Sequence, residues 1–148
     1  QIIGNRLLDE LRERAGAAYT PFAASSWPLD TASGGSIYAI VQIQPAMQTA
    51  FFEAADHIAQ DLATNGPTAD ELTTVQAQLR ARFVYDADSV TDVAHQLGYF
   101  ATVDRWQAWP EVFTRLAAVT ADAVHAAARR YLATDNRTIG VFEPVSGS

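Results

Sequence analysis

Apolar positions along this chain recur with two different periods, and each change of period marks a change of element. Ile3, Leu7, Leu8 and Leu11 fall at helical spacing, while Asp9, Glu10, Arg12, Glu13 and Arg14 fill the other side. This pattern predicts the last turns of an amphipathic helix. Gly16 supplies a left-handed stop, and from Ala17 the residues become small, aromatic and hydroxylated, as in a strand. Residues 20–27 and 36–44 read as two antiparallel strands joined by the loop PLDTASGG. In the second strand Ile37, Ala39, Val41 and Ile43 form a wholly apolar face, predicted to lie under helices. Tyr38, Ile40, Gln42 and Gln44 form a mixed one. Pro45 ends the strand.

The remainder is helical until close to its end. Met47 to Thr64 carries a stripe of Phe51, Ala54, Ala55, Ile58 and Leu62, closed by Asn65-Gly66 and stopped by Pro67. Thr68 and Glu71 have the spacing of a reciprocal capping box, opening a helix with Leu72, Val75, Leu79 and Phe83 inward. Ser89 or Thr91 caps the next helix, which runs through Val93, Leu97 and Phe100 to about Thr102. Gly98 there predicts close helix packing. Residues 104–118 hold Trp106, Trp109, Val112, Phe113 and Leu116, with Pro110 starting or kinking a helix. Thr120 caps a last helix ending near Tyr131, and TIGVF over 138–142 reads as a final strand stopped by Pro144.

The length of 148 residues gives one domain, assigned to 1–144 with 145–148 as a tail, and room for a hydrophobic core. Hydrophobic residues at 49% and charged residues at 18% are those of a soluble globular chain. A net charge of −7 argues against a nucleic-acid partner, which calls for a basic face. No cysteine is present, which removes disulfides and thiolate metal sites but fits cytoplasm and periplasm equally. No apolar run reaches the ~20 residues of a membrane helix.

The candidate chemistry sits at the helix-to-strand corner. Arg12 lies in the final helical turn and Tyr19 near the start of the strand. A reversal there brings a guanidinium fork and a phenolic hydroxyl to one end of a sheet, two donors with no carboxylate. Such a pair suits an electron-rich oxygen, for example a peptide carbonyl becoming an oxyanion. The plainer alternative is an arginine favoured by the helix dipole and nearby carboxylates, and a tyrosine favoured by the sheet.

Leu11-Arg12-Glu13 followed by Gly16-Ala17-Ala18-Tyr19 resembles the "LRE…G-x-x-Y" segment of the pitrilysin/insulinase family of zinc metallopeptidases, the inverzincins. The junction Gly66-Pro67-Thr68 leading to Glu71-Leu72 and the closing strand before Pro144 extend the resemblance. The likeness is to the second, non-zinc type of domain. It implies an α+β two-layer fold, with an antiparallel-rich sheet covered on one face by helices, a LuxS/MPP-like metallopeptidase half-domain. In the family, strands and a helix precede the first residues seen here, so the chain is expected to be an N-terminally truncated piece of a longer protein. The resemblance further implies a homologous zinc-binding domain or subunit as partner and a peptide as substrate. Arg12 would donate to the substrate carbonyl region and Tyr19 would help hold the oxyanion.

No H-x-x-E-H occurs, so no catalytic residue is expected in this chain alone and zinc is expected in the partner. His57, His95 and His125 stand alone in separate helices, and a lone helical histidine is more often structural than a ligand. There is no G-x-S-x-G, and Gly34-Gly35-Ser36 precedes a strand rather than a helix, a poor phosphate loop. Glu10, Glu13, Glu53 and Glu71 read as solvated faces and a cap; Trp27, Trp106 and Trp109 read as core or as peptide contacts. Three strands under many helices predict an exposed sheet edge that a second copy could cover. Two other readings are a scaffold subunit without peptidase activity, as in the family's respiratory core proteins, and a strand-binding domain.

Overall fold

A computed structural model describes residues 1–14, 22–26, 35–103 and 105–142, with backbone alone at 12–14, 22, 24–26 and 103. Helix α1, Ile2–Leu7, continues directly into a π-helical stretch, Leu8–Arg14. Strands β1, Phe22–Ser26, and β2, Ser36–Ile40, pair antiparallel from Phe22 opposite Ile40 to Ser26 opposite Ser36. A single 3-10 turn, Pro45–Met47, leads into α2, Gln48–Thr64. Then come α3, Ala69–Tyr85; α4, Val90–Val103; α5, Ala108–Ala117; and α6, Ala121–Tyr131.

The core follows from the helical stripes. Leu7 and Leu11, a turn apart, are the most deeply buried side chains, at 1% and 2% exposure. They pack with Ile58, Leu62 and Ala128, ringed by Ile2, Ile3, Ala23, Val41, Ile43, Phe51, Ala54, Ala55 and Leu132. This joins α1, the hairpin, α2 and α6. A second apolar group lies between α3 and α5, where Phe83 meets Trp109 at 5.5 Å and Phe113 edge-on at 4.7 Å between ring centroids. Gln76 of α3 ties the two helices by donating to the Leu116 and Val119 carbonyls, at 2.9 and 3.1 Å. Both carbonyls lie at or just beyond the C-terminal end of α5, where a helix leaves acceptors open to further donors.

The caps form where local chemistry places them. The Thr68 hydroxyl accepts from the Glu71 amide at 3.1 Å, and the Glu71 carboxylate accepts from the Thr68 amide at 2.8 Å. Ser89, rather than Thr91, caps α4, accepting from the Asp92 amide at 3.1 Å, and Thr120 caps α6. Pro110 lies in the first turn of α5, where its missing N–H is harmless.

The expected antiparallel-rich sheet under a layer of helices is not what these residues form. Among the described residues the sheet is the two-stranded hairpin, and the structure is mostly helical. Residues 138–142, expected as a final strand, form no ladder with any other described residue, and Phe142 is fully exposed. β-branched and aromatic residues favour a strand only when a neighbour and a packing face are present, and this segment has neither among the described residues. The apolar face expected of 36–44 is likewise divided. Val41 and Ile43 reach the core, but β2 ends at Ile40 and Ile37 is 52% exposed. The stretch from Leu8 departs from the expected α-helix into the wider π form without leaving the apolar stripe.

Two glycines have opposite meanings. Gly66 adopts φ +74°, and a Cβ there would lie 3.1 Å from His125 Cβ, so it closes α2 where α6 presses against it. Gly98, expected at a close helix contact, has nothing among the described residues within 4 Å of where a Cβ would stand. Gly98→Ala should therefore raise stability by about 0.5–1 kcal/mol, and Gly66→Ala should lower it by about 1–3 kcal/mol. Urea unfolding of the two variants checks both signs, and equal effects would contradict the assignment.

Candidate functional site: the helix that leads to the corner

The corner proposed from the sequence starts on α1. Arg12 lies in the π-helical stretch, one residue beyond the buried Leu11. Its side chain, and Tyr19 and Gly16 entirely, are outside the described residues, as is Trp27. The structure describes what holds the helix that carries Arg12.

That helix is held on two sides. Its apolar side is Leu7 and Leu11 against Ile58 and Leu62 of α2. Its polar side is Arg6, whose side chain is 18% exposed. Arg6 Nε donates to Glu71 Oε1 at 2.6 Å and Nη2 to Glu71 Oε2 at 2.9 Å, a bidentate fork. Nη1 donates to Asp61 Oδ2 at 2.6 Å, and Nη2 also reaches the Gly66 carbonyl at 3.5 Å. One guanidinium thus joins α1 to the end of α2, the turn and the start of α3. Asn5 adds a link from α1 to Gln78 of α3 at 3.0 Å.

The carboxylates on this cation are already committed locally. Glu71 closes the capping box, and Asp61 Oδ1 accepts from the side-chain Nδ2 of Asn65 at 2.7 Å. Hydrogen bonding from Arg6, with help from the Thr68 amide, pushes the Glu71 carboxyl down from its ordinary 4.5 to about 2. The Asn65 side chain, then Arg6, holds Asp61 below its ordinary range. Glu71, chiefly, raises Arg6 further above its own. The whole cluster stays ionised across the range where most proteins work.

The histidines do not assemble. His125 Nε2 donates to the Ala63 carbonyl at 3.0 Å, joining α6 to the last turn of α2. Among the described residues no three His, Asp or Glu side chains gather where a metal could be held, so these residues do not fit a zinc site. Trp106 is half exposed; Trp109 packs on Phe83, and its buried indole N–H has no partner among the described residues. Arg6 went unremarked in the sequence because its acceptors lie 55 and 65 residues away. The signal it did leave is an arginine on the same short helix as Leu7 and Leu11.

No family model and no curated protein matches the chain. Solved structures do. The inactive peptidase domain of a candidate zinc protease from Bordetella parapertussis superposes with a TM-score of 0.78 at 20% identity, covering 95% of this chain and 75% of that one. An M16 peptidase inactive domain from Pseudomonas fluorescens gives 0.72 at 21% identity, over 88% and 32%. The periplasmic protease PqqL from Escherichia coli gives 0.68 at 22% identity, over 88% and 14%. The chain has the fold of an M16 peptidase domain. It spans about a seventh of PqqL and about a third of the Pseudomonas chain. Within this peptidase-domain fold, no helix among the described residues is long and apolar enough to cross a membrane.

The Arg6 cluster gives the fold a definite acid response. The folded Glu71 value lies below the unfolded one, so its contribution is complete above about pH 4.5 and fades as pH falls toward 2. Arg6→Gln should destabilise the protein by about 2–4 kcal/mol at neutral pH, and the difference should shrink to less than half near about pH 3. Urea unfolding of both proteins at the two pH values reads this directly; a difference independent of pH would refute it.

Proposed function

We propose that this chain is the non-catalytic half of a zinc peptidase, a single inactive-type domain over 1–144 with 145–148 as its tail. The observation that carries the reading is the fold shared with inactive peptidase domains, over 95% of this chain in the Bordetella parapertussis case. The sequence adds two supports: the Arg12…Tyr19 spacing and the lack of H-x-x-E-H. A homologous zinc-binding domain or subunit supplies the metal and the general base. This chain lines the chamber in which a peptide is held.

In this reading the work of the chain is binding and orientation. Arg12 donates to the substrate carbonyl region, fixing the peptide against the partner's active site. The Tyr19 hydroxyl donates to the carbonyl oxygen as it becomes a tetrahedral oxyanion. A donor aimed at charge that develops during reaction stabilises the transition state more than the bound substrate. Both roles are hydrogen-bond donation, so neither calls for a proton to be gained or lost.

The test is made in the full protein together with its zinc-bearing half. Tyr19→Phe should lower kcat by about 10²–10³, as loss of one oxyanion donor does, with a smaller change in KM. Arg12→Ala should lower kcat/KM at least as far as Tyr19→Phe does. Wild-type turnover in both variants would overturn the peptidase role and leave the domain a scaffold.

A further inference from the structure

We propose that Arg6 is a positioning residue for the peptidase reaction, its fork on Glu71 and Asp61 setting the direction of the helix that presents Arg12. The inference rests on the reading of Arg12 above and goes beyond it, because Arg6 donates to Glu71, Asp61 and Gly66 of this chain and is given no contact with the substrate.

The geometry points to a lever. Arg6 and Arg12 belong to one unbroken helical run, α1 followed by the π-helical stretch to Arg14. Six residues separate them, at most about 9 Å at the α-helical 1.5 Å per residue, and less where the run is π-helical. The fulcrum lies at the Arg6 end. There the guanidinium grips the end of α2 through Asp61, the turn through the Gly66 carbonyl and the first turn of α3 through Glu71. A swing of about 10° about that point moves the far end by more than about 1 Å, and a misplacement of about 1 Å can cost on the order of 10²-fold in rate. Leu7 and Leu11 resist lifting of the helix from the core, but apolar contacts are non-directional. The bidentate fork is planar and directional, so it restrains the turning and tilting that Leu7 and Leu11 permit.

The turn that Arg6 grips is itself rigid. Gly66 is held against His125, the Thr68–Glu71 box closes α3, and Asn65 braces Asp61. Both carboxylates are oriented by partners of their own, so the cation meets acceptors already in place. A lysine at position 6 keeps the charge and much of the packing but cannot make the fork. Glutamine at position 71 can still serve in the capping box, because Gln substitutes for Glu there, but it removes the charge that Arg6 grips. These two substitutions separate positioning from folding.

The experiment is a double-mutant cycle in the full protein with its zinc-bearing half, reading cleavage of a quenched fluorescent peptide. Arg6→Lys and, independently, Glu71→Gln are each made with Arg12 present and with Arg12→Ala. With Arg12 present, each should lower kcat by about 10–100-fold with KM changed by less than about threefold. With Arg12 already removed, each should cost less than about twofold more, because the lever has nothing left to aim. Melting curves accompany every variant, and Glu71→Gln provides the answer if Arg6→Lys does not fold. Equal losses in both backgrounds would show a merely structural Arg6 and overturn the inference while Arg12 keeps its role. Unchanged kcat in both single variants overturns it as well. An Arg12→Ala protein with wild-type kcat/KM would instead remove the reading on which it stands.

Discussion

A single cation meets three elements in this fold, and its satisfaction is the constraint the rest depends on. Arg6 is mostly buried, and a charge removed from water persists only where its hydrogen bonds are replaced. Here they are replaced by Glu71, Asp61 and the Gly66 carbonyl. Each acceptor is available only if something else has already formed. Glu71 must start α3, Asp61 must lie in the last turn of α2, and Gly66 must adopt its left-handed turn. The ion cluster therefore couples helix termini that would otherwise form independently. The hydrophobic contacts of Leu7 and Leu11 supply most of the attraction, and the fork supplies the geometry.

This division explains how the two apolar groups become one domain. The larger gathers α1, the hairpin, α2 and α6, and the smaller gathers α3 and α5. Between them run polar links: the Arg6 fork and Asn5 to Gln78. Such links contribute less per contact than burial, but they are directional, so they fix how the two groups are oriented.

Features decided within a few residues were legible in the sequence. Thr68 and Glu71 capped each other, Thr120 capped α6, and Gly66 closed α2, because each depends on neighbours within one turn. The stripes of Phe51, Ile58 and Leu62 on α2 and of Val75 on α3 likewise faced inward. What failed was non-local. The stretch 138–142 has the composition of a strand, but composition cannot supply the strand beside it. Gly98 looked like a packing glycine, and no described residue packs where its Cβ would stand. Glu71 was recognised as a cap, yet its second task on Arg6 was invisible, since 65 residues separate them. At the candidate site the spacing of Arg12 and Tyr19 was legible as a motif. The support beneath that motif became visible only with coordinates.

If the clamp and the two leucines hold α1 to the body of the fold, α1 cannot open on its own. Native-state hydrogen exchange tests this most directly, by comparing the amides of Leu7 and Leu11 with those of Ile58 and Leu62 in α2. The account predicts that both sets exchange with the same opening free energy, that of global unfolding. Exchange of the α1 amides through a local opening, orders of magnitude faster than in α2, would contradict it.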